Sequence, residues 1–528
     1  MRNFHYPGRS NVLSTKGIAA TSHPLASQEA LSILKMGGNA IDAAIAASAV
    51  LCVVEPNATS IGGDCFAIIA PKGKNPVSYN GSGINPKKAK LSYFIENNIK
   101  KIELESPHSV TIPGAIKSWE SMHLDHGKLD FEKLFIKAIE YAEDGFAITE
   151  KVAENWKDNE IKLNKNINTK KIFLKNGKGY KFAEKHKNPA LANTLKRISK
   201  KGSKEFYNSD ITEDIVQTLN ELGGLHTIDD FNMQKTIKSK TIFSPYKDTL
   251  LHQCPPNGPG ITVLIMMKMM ENYEIKNFSP MSFERFHLEA EITKLAYKLR
   301  EDKIGDPNFN ELNLEEILSS HFLDNLIDNI SMDSCYNVGN LNIPAHPETV
   351  YLTVVDKDLN LVSFINSVCY AFGSGITTNK TGILLQNRGV NFRIEENHPN
   401  SIDSLKRPLH TIIPGMVFNK KGEAIISYGV MGGQFQPVGH THFLNNVIDY
   451  EMTVQEAIDF PRGFHFNNQY QLELGVSNDV EKKLNSVGHK TVRTKSPHGG
   501  GQAIKIDYKE GVLIGGSDPR KDGCALGL

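Results

Sequence analysis

From residue 349 onward the apolar positions of this chain recur every second residue. Val350, Leu352 and Val354 lead into a turn at Asp358–Asn360 and then a second apolar run, the pattern of a hairpin with one buried face. The same reading predicts strands at 350–356, 361–368, 383–386, 412–418, 424–429, 502–508 and 512–516. "DKDLN", "NKKGE" and "DYKEG" supply the turns. Helices in "VGHTHFLNNVIDY" and from "TVQEAIDFPR" interrupt the series.

Before residue 349 the period is mostly 3.6. "GIAATSHPLASQEALSILKMGGNAIDAAIAASAVLCVVEP" reads as two helices. Ser22 with Pro24 starts the first, Gly37 and Gly38 stop it, and Asn39 caps an Ala-rich second helix expected against a sheet. "SIGGDCFAIIA" and "VSYNGSG" look like strand and turn. The stretch from about 115 to 330 is mostly helical, with "PPNGPG" as a rigid turn before "ITVLIMMKMM", whose methionines fill core. Residues 333–348, "DSCYNVGNLNIPAHPE", carry almost no period and read as a mobile segment. Helices first and hairpin-linked strands second predict an α+β layered sandwich.

Composition narrows the function. Net charge is +1, so no overall field recruits nucleic acid or anionic lipid; the Lys-rich stretch 151–205 reads as a solvated surface. Six scattered cysteines without CxxC spacing argue against a zinc site or a disulfide framework. The N-terminus lacks the apolar core of a signal peptide, and Ala40–Val54 is short for a membrane span and contains Asp42. A cytoplasmic enzyme is the expectation. "HTH" at 440–442 puts its histidines on different helix faces, unsuited to a shared metal.

Thr349 stands where the loose segment meets the first strand. A threonine hydroxyl is a weak nucleophile unless a base takes its proton. A threonine at a chain start carries its own base, an α-amine with a pKa near 8. Thr349 gains that amine only if the bond before it is cut; otherwise it simply begins a strand after a surface loop.

Twelve segments in order, "ILKMGGNAIDAAIAA", "SIGGDCFAI", "SVTIPGAIKSWE", "AIEYAEDGFAIT", "PPNGPG", "AYKLREDKIGDP", "TVYLTVVDKDLN", "FGSGI", "TGILLQNRG", "KRPLHTIIPGMV", "GVMGGQFQP" and "GGSDPR", resemble the γ-glutamyltransferase family of N-terminal-nucleophile hydrolases. The resemblance covers nearly the whole chain. It implies a four-layer αββα sandwich made of one precursor, cut between Glu348 and Thr349 into pieces 1–348 and 349–528 that stay together, with a dimer of such units left open. It implies that Thr349 cuts the chain and then forms an acyl-enzyme with an amide substrate, released to water or an amine acceptor. No metal or organic cofactor is implied, nor nucleic acid or membrane as partner. Gly432 and Gly433 match the backbone donors for the oxyanion, and Ser367 matches a hydroxyl bonded to the nucleophile. Thr353 and Asn366 are further candidate helpers.

The match departs from the family at the substrate. The Arg that holds a glutamyl carboxylate is replaced near Ser82, the acidic partner of the amine by Asn391, and an Asn contact by Cys369. The paired serines after "KRPL" become His410 and Thr411. Arg388 in "QNRG" and His410 are the replacements available, and an Arg fork suits a carboxylate. "TVYLTVVD", "QNRG" and "KRPLHTIIP" look more like the branch that includes oxamate amidohydrolase, which implies a small carboxylate-bearing amide. True γ-glutamyl hydrolysis or transfer is the alternative within the family, and a non-catalytic binding protein that kept the fold is the alternative outside it.

Overall fold

The computed structural model describes residues 8–339, 341, 343 and 349–528. Sheet I runs, in spatial order, Val12–Ser14, Val512–Ser517, Gly500–Asp507, Ala424–Met431, Gly415–Asn419, Thr249–Gln253 and Ile242–Tyr246. Sheet II runs Ala525–Gly527, Ile18–Ala20, Val350–Val355, Leu361–Ser367, Asp64–Ala70, Val77–Gly81 and Ile237–Lys240.

The cores explain the layering. Tyr351, Val355, Ile365, Phe66, Met416, Met431 and Ile504 form the core between the two sheets. On the outer face of sheet II, Val350, Leu352, Val354, Val362 and Phe364 pack with the helices Pro24–Lys35 and Ala40–Val54. On the outer face of sheet I, Val417, Tyr428 and Val430 pack with the helices Gly260–Met270, Phe283–Lys303 and Gln436–Leu444. Helix, sheet, sheet and helix give the expected αββα sandwich. Val350–Val355 is buried along its whole length because its even residues face the helices and its odd residues face the other sheet.

The Ala-rich helix is buried on every side, since small side chains let the sheet approach closely. Its cap is reciprocal: Asn39 Oδ1 accepts from the Ile41 and Asp42 amides, and Asp42 accepts from the Asn39 amide. Other expectations need correction. The first helix is capped by His23, whose Nδ1 accepts from the Leu25 amide, while Ser22 bonds Glu55. Residues 383–386 are no strand: Leu384 and Leu385 make only single bridges, to Thr377 and Gly62. The middle is mostly helical as expected; the sequence reading did not separate out 237–253, which contributes one edge strand to sheet II and two strands to sheet I, because these short runs lack a clear period. No helix among the described residues is long and apolar enough to cross a membrane.

Candidate active site

The register of sheet II assembles the site. Val350 pairs with Asn366, so Thr349 lies opposite Ser367, and Ser367 in turn pairs with Asp64 on the next strand. All three have the parity that faces sheet I. Three residues distant in sequence thus form one row across adjacent strands. Thr349 Oγ1 lies 3.1 Å from Ser367 Oγ, and both residues are buried.

The facing sheet sets what stands opposite. Thr353 Oγ1 donates to Ser427 Oγ at 2.6 Å, and the ring of Tyr351 covers Gly429 so closely that a Cβ there would stand 2.3 Å from the ring. Moving back two residues on one strand moves forward two on the other. The same direction runs on toward Met431 at the end of its strand, with the Gly432–Gly433 turn following it. Both glycines have positive φ, +116° and +55°, a backbone that side chains disfavour. A turn of this kind at the strand end presents backbone N–H groups of the sort that stabilise an oxyanion. A cavity of about 360 Å³ reaches Gly432 and is lined by Phe435, Phe464, Phe466, Lys495 and His498.

A guanidinium completes the row. Arg388, in the short helical turn Arg388–Asn391, is fully buried. It donates to Thr411 Oγ1 at 2.6 Å and to Ser367 Oγ at 3.2 Å. Its Nε lies 3.9 Å from Asp64 Oδ2 and has no hydrogen-bond acceptor. His410 Nε2 is 3.2 Å from the same carboxylate oxygen. Burial pushes the Asp64 carboxyl up to about 7, against the pull of Arg388, the Gly83 and Gly114 amides and Arg407. Near neutral pH the nearest acid therefore compensates Arg388 only in part.

The candidate residues separate accordingly. Thr349, Ser367, Arg388 and Thr411 form one hydrogen-bonded chain, His410 bonds Asp64, and the two groups meet in the 3.9 Å ion pair of Arg388 with Asp64; Gly432 and Gly433 follow the strand Ala424–Met431 of the other sheet. Asn391 holds the neighbouring loop, its amide donating to the Leu409 carbonyl. Cys369 sits beside the network, donating its amide to Ser367 Oγ, and burial pushes its thiol up to about 11. Ser82 Oγ accepts from Asn257 Nδ2. Thr353 and Asn366 turn elsewhere: Thr353 bonds Ser427, and Asn366 donates to Thr59 and Ser60. Glu348 lies outside the described residues. Sequence reasoning does not single out Asp64; its only signal there is a lone acid at the head of the apolar run "DCFAIIA".

Among the described residues, one group has the composition of a metal site: His287, Glu291 and His489, with ligand atoms within 4.8 Å of one another. It is already closed by hydrogen bonds. His287 Nδ1 is 2.8 Å from His489 Nε2, and the Lys294 ammonium is 2.6 Å from Glu291 Oε1. A divalent ion would have to sit beside that buried ammonium, which disfavours it.

The family model described as gamma-glutamyltranspeptidase matches residues 26–528. The "Glutathione hydrolase-like YwrD proenzyme" of Bacillus subtilis is 35% identical over 98% of this chain and 99% of that protein. The "Oxamate amidohydrolase proenzyme" of Klebsiella pneumoniae is 29% identical over 98% of this chain and 99% of that one. The crystal structure of a cephalosporin acylase from Bacillus halodurans superposes with a TM-score of 0.93 at 32% identity, covering 100% of this chain and 99% of that one. The chain belongs to the gamma-glutamyltranspeptidase family of N-terminal-nucleophile hydrolases.

Proposed function

We propose that this enzyme cuts itself between Glu348 and Thr349 and then hydrolyses the amide of a small carboxylate-bearing substrate such as oxamate. In the first reaction Thr349 Oγ1 adds to the Glu348 carbonyl carbon. The C–N bond breaks, and the hydroxyl proton passes to the departing nitrogen, which becomes the α-amine of Thr349. Water then opens the ester, leaving the Glu348 carboxylate and a free hydroxyl. In the second reaction that amine takes the Oγ1 proton as the hydroxyl attacks the substrate amide. The Gly432–Gly433 amides hold the oxyanion, and the proton is delivered to the leaving ammonia. Water attacks the acyl-enzyme, regenerates Thr349 and releases the acid. Ser367, 3.1 Å away, orients the hydroxyl.

The observation that carries the substrate assignment is Arg388. A buried guanidinium within one hydroxyl of the nucleophile, with an unused Nε and, beside it, an acid that burial pushes toward its neutral form, is a receptor for a short acid whose amide must reach Thr349. A relative named an oxamate amidohydrolase supports this reading. The higher identity to a glutathione hydrolase-like protein favours the second reading, hydrolysis or transfer of γ-glutamyl groups. Purified protein is assayed with oxamate and with a γ-glutamyl anilide. Turnover of oxamate is expected, and activity on the anilide alone refutes the small-amide assignment. Thr349→Ala is expected to migrate as one band on a denaturing gel where the native sequence gives two; a Thr349→Ala chain that still splits at this bond refutes the nucleophile.

A further inference from the structure

The helix Phe283–Lys303 carries a polar stripe that is buried. His287, Glu291, Lys294 and Glu301 are spaced by four, three and seven residues, which places them on one face. All four are buried. Burying carboxylates and an ammonium is costly unless each finds partners, so the identity of those partners is informative. Three of the four, His287, Glu291 and Lys294, bond the chain segment that leads toward Thr349, and Glu301 holds Arg393, which bonds that segment in turn.

The contacts follow one another along that segment. His287 Nε2 donates to the Ser331 carbonyl at 2.8 Å. Since that nitrogen carries the hydrogen, Nδ1 of the neutral ring accepts from His489 Nε2. Glu291 Oε2 accepts the Tyr336 amide at 2.8 Å, and Lys294 Nζ donates to the Tyr336 carbonyl at 2.9 Å. Glu301 Oε2 accepts from Arg393 Nη2 at 2.6 Å, and the same nitrogen donates to the Leu341 carbonyl at 3.1 Å. Asn467 Nδ2 donates to the Ile343 carbonyl at 3.3 Å. Every one of these contacts on the segment is to backbone. The stripe therefore reads the path of the chain and not its side chains.

The spacing gives the arrangement its consequence. Ile343 is the last of these held residues, and an extended chain spans about 3.3–3.6 Å per residue. The short stretch that follows therefore confines Thr349 and the bond before it to within about 20 Å of the Ile343 position. We propose that this polar stripe, with Arg393 and Asn467, is a positioning device for self-cleavage. It holds the backbone at Ser331, Tyr336, Leu341 and Ile343 so that the bond preceding Thr349 is presented to the Thr349 hydroxyl in aligned register instead of wandering as a free loop. The residues act through the segment, not on the reacting atoms. This inference rests on the self-cleaving reading above.

The test separates maturation from turnover. The paired variant Glu291→Gln/Lys294→Met keeps side-chain size and removes both charges together. Asn467→Gly is the milder variant: Asn467 is exposed, and its φ of +47° suits glycine, so folding is spared. For each, the appearance of two bands is followed from synthesis, kcat/KM is measured per cleaved molecule, and Tm is recorded. The paired variant is expected to slow splitting tenfold or more, and Asn467→Gly several-fold, with kcat/KM of the cleaved protein within about twofold of the native value. Splitting at the native rate in both variants overturns the proposal, as does an equal loss of splitting and turnover or a loss of splitting that tracks a fall in Tm. A native chain that never splits overturns the self-cleaving reading and this inference with it; a native chain that splits while both variants keep pace overturns this inference alone.

Discussion

Replacing Arg388 by Gln removes the charge that the substrate assignment depends on, and the structure sets the size of the effect. The guanidinium is fully buried and bonded to Thr411 and Ser367, so the exchange also costs the site two hydrogen bonds whatever the substrate. Those losses cancel in a cycle that compares oxamate with its neutral diamide in both the native enzyme and the variant. What survives is the coupling between guanidinium and substrate carboxylate. A charge-assisted bond contributes about 1.5–3 kcal/mol, and close charge pairs at water-excluded sites reach somewhat more. A coupling of about 2–4 kcal/mol is expected, a factor of roughly 30–1,000 in kcat/KM at about 1.4 kcal/mol per tenfold. The assay is release of ammonia from each substrate under kcat/KM conditions. Arg388→Lys, which keeps the charge and loses the fork, is expected to fall between the two. Equal losses for oxamate and the diamide would show that Arg388 only shapes the site, and would refute the reasoning.

Two further expectations follow from the same geometry. Asp64 is protonated below about 7, so Arg388 then carries an uncompensated charge; as pH rises through that value the ionised Asp64 competes with an acidic substrate. KM for oxamate should therefore rise above about pH 7, Asp64→Asn should flatten the rise, and an unchanged profile in the variant would exclude Asp64 as its source. Gly429→Ala would place a Cβ 2.3 Å from the Tyr351 ring and force the two sheets apart beside the strand Val350–Val355. Urea unfolding should show a loss of about 1–3 kcal/mol, and a variant as stable as the native chain would refute the close packing.

The sequence by itself determined many of the elements, though not all of them, and the boundary at Thr349. Alternation in "TVYLTVVD" predicted a strand and the Asn39 cap with the Ala-rich run predicted a helix against a sheet; that the strand is buried on both faces and the helix on every side came from the four-layer packing. The abrupt loss of period before Thr349 marks that residue as a boundary on local pattern alone, and a dozen motifs in order supply the family. The short run at 383–386 mimics a strand because four apolar residues look the same in a strand and in a buried loop. Only the tertiary structure decided that Asp64 joins Thr349 and Ser367. Positions 64, 349 and 367 share a row because antiparallel register aligns them, and register depends on the pairing of whole strands, which no local pattern contains. The same holds for Lys294 and Glu291. In the sequence they are an ordinary i, i+3 pair on a helix; in the fold they are buried against the Tyr336 backbone, which packs on that face from more than forty residues further along the chain.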